Sequence, residues 1–170
     1  TGPNNVTLNN SVATALGAST VGSGTLTVSS NGPITQTGAI AQATGAGATT
    51  FNAGANAITL TQGNDFTGAV TLTNAGANNV SVTDINALTL AGGTFGGNLN
   101  LVANGALTQN AALVVAGATN VNAGAGAITL GNAGNTFTGA VALNNTGPNN
   151  VTLNNSVATA LGASTVGSGT

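Results

Sequence analysis

Two carboxylates, Asp65 and Asp84, are the whole of the charged side-chain chemistry in these 170 residues; there is no Lys, Arg, His or Cys. General acid–base catalysis needs a positioned histidine or carboxylate pair. The two acids fall in separate turn-like stretches, and the related half of the sequence has Thr136 and Asn155 in their places. Their expected role is to stabilise turns. A serine nucleophile has no base to activate it. The stretch Gly63-Asn64-Asp65-Phe66-Thr67-Gly68 resembles one calcium-binding nonapeptide, but no second Asp follows in phase. Phosphate-loop and dinucleotide fingerprints need a strand–glycine–helix context that is missing. No catalytic, cofactor-binding or metal-ligating residue is therefore assigned, no cofactor is expected, and the chain does not read as an enzyme.

The elements that would position any site read as short strands. Val6-Thr7-Leu8, Leu26-Thr27-Val28, Ile58-Thr59-Leu60, Val70-Thr71-Leu72, Val80-Ser81-Val82, Leu88-Thr89-Leu90, Leu99-Asn100-Leu101, Ile128-Thr129-Leu130 and Val141-Ala142-Leu143 share one pattern. Aliphatic residues flank a small or polar one, so the aliphatics face one side of a strand of period two. Gly, Asn, Ala, Ser and Thr fill the intervals as turn residues. At most a turn of helix is expected, near Asn155–Ala160.

Residues 1–25 return letter for letter as 146–170. The chain thus reads as one full tandem repeat, 1–145, and the start of an identical copy, 146–170. It starts without Met or a charged-plus-apolar leader, which suggests a mature or internal segment. Within the repeat, 51–60 resembles 121–130, 66–70 recurs at 137–141, 76–82 resembles 147–153, and 105–109 resembles 32–36. The repeat is itself a duplicated block. The marks Val28, Phe51, Leu72, Leu101, Val121 and Leu143, each followed by a Gly-Ala or Gly-Pro turn, divide it into six units of about 24 residues, within the solenoid range. Such a unit buries its apolar face only by stacking on neighbours.

The predicted fold is all-β: a right-handed parallel β-helix (β-solenoid), about 24 residues per coil and six coils per 145-residue repeat, three in each half-block. Parallel crossovers set the hand. The six marks should form one column, and the longer circuits should carry excursions at Asp84–Ala87 and Asn155–Ala158.

Composition excludes several partners. Nucleic acid and anionic membranes need the basic residues that are absent, and no apolar run is long enough to span a bilayer as a helix. At 41% hydrophobic and net charge −2 the chain lacks the disorder signature. Without Cys there is no disulfide frame. The expected partner is the chain itself, by continuation along the axis and by lateral bundling.

The residues Asn56-Ala57-Ile58-Thr59-Leu60 and the run from Asn64 through Phe66-Thr67-Gly68-Ala69-Val70 to Asp84 resemble the β-strand repeats of very large bacterial exoproteins, the filamentous-haemagglutinin-like adhesins. The resemblance extends over essentially the whole chain. It implies an extracellular right-handed β-helix at the bacterial cell surface, two-partner or autotransporter-type export, and a role in adhesion, aggregation or biofilm. The leading expectation is the structural shaft of an extracellular fibre. The alternative is an adhesin module whose coil faces bind glycans or host surfaces. Ice binding is remote, because the pairs Thr25/Thr27, Thr35/Thr37, Thr59/Thr61 and Thr71/Thr73 do not recur at one phase in every coil. The sequons at Asn5, Asn9 and Asn79 fit glycan addition, though Asn-rich turns yield such triplets by accident.

Overall fold

A computed structural model describes residues 2–169. All the regular structure among them is β, in 21 short strands. Every strand pair is parallel, and the chain winds as a β-solenoid of about eight turns with about 21 residues per turn.

Two eight-stranded sheets form the long walls. The first stacks Val6–Asn10, Leu26–Ser30, Thr49–Asn52, Val70–Thr73, Leu88–Leu90, Leu107–Gln109, Ile128–Leu130 and Val151–Leu153. The second stacks Thr14–Leu16, Ile34–Gln36, Ile58–Asn64, Val80–Asp84, Leu99–Ala103, Thr119–Asn122, Val141–Asn145 and Thr165–Val166. A two-stranded sheet, Ser19–Val21 on Ile40–Gln42, adjoins the second wall, because Ala41 bridges to Asp65. A three-stranded sheet, Gly93–Phe95, Leu113–Val115 and Thr136–Phe137, adjoins the first wall, because Phe95 bridges to Asn74.

The alternation read from the sequence is the alternation seen. Val80–Asp84, Leu99–Ala103 and Val141–Asn145 each bury their first, third and fifth residues. The inward residues stack like on like. One column runs Leu60, Val82, Leu101, Val121, Leu143; another runs Leu8, Val28, Phe51, Leu72. Phe66, Phe95 and Phe137 are wholly buried, and Phe66 meets Phe51 edge to face at 5.8 Å.

The six marks therefore fall into two columns on different walls, not one. The reason is a half-turn offset between the half-blocks. Phe51 lies in the first sheet and Ile58–Leu60 in the second; the related Val121 lies in the second sheet and Ile128–Leu130 in the first. Val80–Val82 and the related Val151–Leu153 are exchanged in the same way. Each half-block winds three and a half turns, so a duplicated block lands on the opposite wall, and 145 residues complete seven turns rather than six. The long intervals Leu72–Leu101 and Leu143 onward hold an extra half turn each. Asp84 accordingly ends a strand of the ladder instead of opening an excursion, and Asn155–Ala160 holds no helix.

The stacking also accounts for many of the glycines. A Cβ placed on Gly139 would lie 2.4 Å from the Gly117 carbonyl oxygen, and one on Gly117 would lie 2.5 Å from the Gly97 carbonyl carbon. Coil corners about 4.8 Å apart leave no room for a side chain along the axis. Gly131 is different: its nearest contact would be Thr152 Cγ2 at 3.8 Å. Gly139→Ala should destabilise the chain by roughly 1–3 kcal/mol, whereas Gly131→Ala should be neutral or stabilise it slightly. Thermal denaturation of both variants checks this; equal effects would contradict the corner packing.

Candidate functional site

The polar groups of the interior sit at the corners, where strands end and the backbone needs partners. Asn-x-Gly turns recur: the N–H groups of Gly54, Gly76, Gly124, Gly134 and Gly147 donate to the Oδ1 atoms of Asn52, Asn74, Asn122, Asn132 and Asn145 at 2.9–3.0 Å. Two amide pairs lock neighbouring coils. Gln36 and Asn64 exchange hydrogen bonds at 2.9 and 3.0 Å, and Asn64 Oδ1 also accepts the Ile40 N–H at 2.9 Å. Gln109 and Asn135 repeat the pattern at 2.7 and 2.8 Å, with Leu113 N–H as the third donor. Asn64 and Asn135 are wholly buried. The sequence signal for these pairs was present in the shared Gly-Pro-Ile-Thr-Gln and Gly-Ala-Leu-Thr-Gln motifs, but the Asn partners lie a coil away. Asn64 spends its carboxamide on this lock at the end of the strand Ile58–Asn64.

The same stacking joins the two acids, which the sequence placed in unrelated turns. Asn86 links them: its backbone N–H donates to Asp84 Oδ1 at 3.1 Å, and its side-chain Nδ2 donates to Asp65 Oδ1 at 2.9 Å. Asp84 Oδ2 accepts the Phe66 N–H at 3.0 Å. Burial pushes the Asp84 carboxyl up from 3.8 to about 6. Backbone N–H donors from Asn86, Phe66 and Ile85 oppose that shift, and the Asp65 charge adds to it. The related half-block shows the neutral equivalent. Phe137 N–H donates to Asn155 Oδ1 at 2.9 Å, and Asn155 Nδ2 donates back to the Phe137 carbonyl at 3.1 Å. Thr136, in the place of Asp65, shares a hydrogen bond with Ser156. Asp84 is 1% exposed. Among the described residues no three His, Cys, Asp or Glu side chains gather.

The outer surface carries ordered hydroxyls and amides. Central threonines of the strands stack on the first sheet as Thr7–Thr27–Thr50–Thr71 and as Thr89–Thr108–Thr129–Thr152. A register step, Leu90 on Val70, separates the two ranks. Counting Thr-x-Thr pairs missed these ranks, because only the central Thr keeps its phase. On the second sheet Asn120 donates to Asn100 and Asn144 to Asn120. The sequon residues Asn5 and Asn79 accept the N–H groups of Thr25 and Asn98 from the next coil, so both carboxamide oxygens serve the stack. A shallow, mostly apolar groove lined by Thr71, Thr73, Ala91, Gly93, Ala111 and neighbours marks the register step.

These features define a parallel β-solenoid in which Asn and Gln side chains hydrogen-bond from coil to coil. The profile of a family described as "Repeats of unknown function (DUF5649)" matches residues 3–73 and 77–144, so the chain belongs to that repeat family. The two matches correspond to the two half-blocks. No curated protein and no solved structure matches the chain significantly.

Because the folded value of Asp84 lies above the carboxyl's ordinary 3.8, the folded chain holds that proton more tightly than the unfolded one. Stability should be greatest below about pH 4, fall as pH rises through the window to about 6, and level off above it. Asp84→Asn, which copies Asn155, should remove this slope and stabilise the chain at pH 8 by on the order of 1–3 kcal/mol. Melting curves from pH 4 to 8 decide; a flat wild-type profile, or a slope retained in the variant, would contradict the assignment.

Proposed function

We propose that the chain is a length of structural shaft in an extracellular bacterial fibre. The observation that carries this reading is geometric. A 145-residue repeat that closes on seven turns returns Val151–Leu153 to the wall that holds its identical copy in Val6–Asn10, so added copies need not exchange the walls. A repeat of three and a half turns would exchange the walls at every joint. The surface supports the same reading: with only two acids and no bases, neighbouring rods repel each other weakly. The resemblance to filamentous-haemagglutinin-like adhesin repeats supports a place outside the cell and a part in scaffolding, adhesion or biofilm.

The threonine ranks favour a second reading, in which that face itself binds a glycan or a host surface. A glycan array probed with wild type and with Thr108→Lys separates the two. Hits lost in the variant favour the binding module, and no hits leave the shaft.

The shaft reading predicts the behaviour of covalent tandems of one, two and three repeats in small-angle scattering. Each added 145 residues should lengthen the particle by about 34 Å, seven turns at about 4.8 Å, at constant cross-sectional radius. A cross-section that grows with copy number would overturn it.

A further inference from the structure

We infer that Asn104 is a site of spontaneous covalent modification, at which the backbone nitrogen of Gly105 attacks the Asn104 side chain and the amide becomes an aspartyl or isoaspartyl carboxylate. The fold leaves this corner open to the reaction and protects the related corner at Asn31.

The sequence holds two Asn-Gly dipeptides, Asn31-Gly32 and Asn104-Gly105. They occupy equivalent corners of the two half-blocks, directly before the related stretches 33–36 and 106–109. Both asparagines are exposed. A glycine has no Cβ to screen its nitrogen, and it bends freely enough to bring that nitrogen onto the preceding side chain. The Asn-x-Gly corners differ. Asn52, Asn74, Asn122, Asn132 and Asn145 are each followed by Ala or Thr, and a glycine N–H holds each Oδ1 in place.

One hydroxyl separates the two sites. Ser30 Oγ accepts the Gly32 N–H at 3.3 Å and donates to the Val12 carbonyl at 2.6 Å, and Gly32 is buried. Ala103 stands in the place of Ser30 in the other half and has no hydroxyl to offer. Among the described residues the Gly105 N–H has no acceptor and the Asn104 carboxamide has no hydrogen-bond partner. A corner held by so few bonds opens locally at little cost. The reaction then needs only water. As the Gly105 nitrogen bonds to Asn104 Cγ, the Cγ–Nδ2 bond breaks, ammonia leaves with the Gly105 proton, and a cyclic imide remains. Water opens the ring: cleavage at Cγ gives aspartate, and cleavage at the backbone carbonyl carbon gives isoaspartate, whose main chain runs through the former side chain. Both products burden this corner. The Asn104 N–H donates to the Asp84 carbonyl at 3.2 Å, so the new carboxylate lies one coil from an acid. A longer main chain has no slack here, because a Cβ on Gly126 would lie 2.2 Å from the Gly105 carbonyl carbon.

The test ages the full folded chain in mildly alkaline buffer and follows both sites by peptide mapping with mass spectrometry, with isoaspartyl methylation as a second readout. Asn104 should convert roughly fivefold faster than Asn31, the factor that one ordinary hydrogen bond is worth. In the chain unfolded by denaturant the two rates should converge. Exchanging the hydroxyl should exchange the behaviour: Ala103→Ser slows conversion at Asn104, and Ser30→Ala speeds it at Asn31, with circular dichroism confirming that each variant keeps its β content. No conversion at Asn104, conversion at Asn31 as fast or faster, or a difference that persists in the unfolded chain would overturn the inference. So would folded variants whose rates match wild type. If either variant fails to fold, the comparison of folded and unfolded wild type still decides.

Discussion

The spacing between hydrogen-bonded strands governs this molecule. In a parallel stack each residue lies about 4.8 Å from its counterparts above and below, and every position must tolerate its own kind as a neighbour. Aliphatics do so by excluding water. Asn, Gln and Thr do so by donating and accepting at once, as Gln36 with Asn64 and Asn120 with Asn100 show. Charges do not: like charges about 4 Å apart repel by about 1 kcal/mol even in water, and by more where solvent is excluded. A sequence almost without charge is the composition this spacing favours. The glycine columns are its steric counterpart, at corners where backbone meets backbone.

Within that constraint, the half-turn offset gives the solenoid its long-range order. The half-blocks differ in detail but keep most inward positions apolar, and an odd number of half turns between them exchanges the two walls. Joining two such blocks restores the starting wall after 145 residues. The bent extensions follow the same logic. The short sheet built on Ser19–Val21 lies beyond the second wall in the first half, and the sheet built on Gly93–Phe95 lies beyond the first wall in the second half. The acid pair bridged by Asn86 is one place where the halves depart from each other, since Asn155 and Thr136 serve where Asp84 and Asp65 stand.

The strands and their inward faces were legible because alternation is local: the triplets around Thr27, Ser81 and Thr129 are all strands. The parallel stacking was legible from the repeat. The number of turns was not, because Leu72 and Leu101 look alike as strand ends while lying on different walls. Sequence spacing alone does not tell a long turn from a turn and a half. The acidic pair was hidden for a related reason: residues in adjacent coils touch only once the register is known. The threonine ranks were obscured by attention to Thr-x-Thr pairs, when the central Thr of each triplet is the residue that keeps phase.

The account stands or falls on which coils lie against which, and the absence of native cysteine makes that directly measurable. Adjacent positions in a parallel ladder fall within disulfide reach. Oxidation of Thr108→Cys/Thr129→Cys should give an intramolecular disulfide in the folded protein, because these residues flank the paired Ile128 and Leu107. Thr71→Cys/Asn100→Cys should give none, because the two lie on different walls. A cross-link in the second pair would restore the single column of six coils and contradict the half-turn solenoid, and none in the first would contradict the parallel ladder itself.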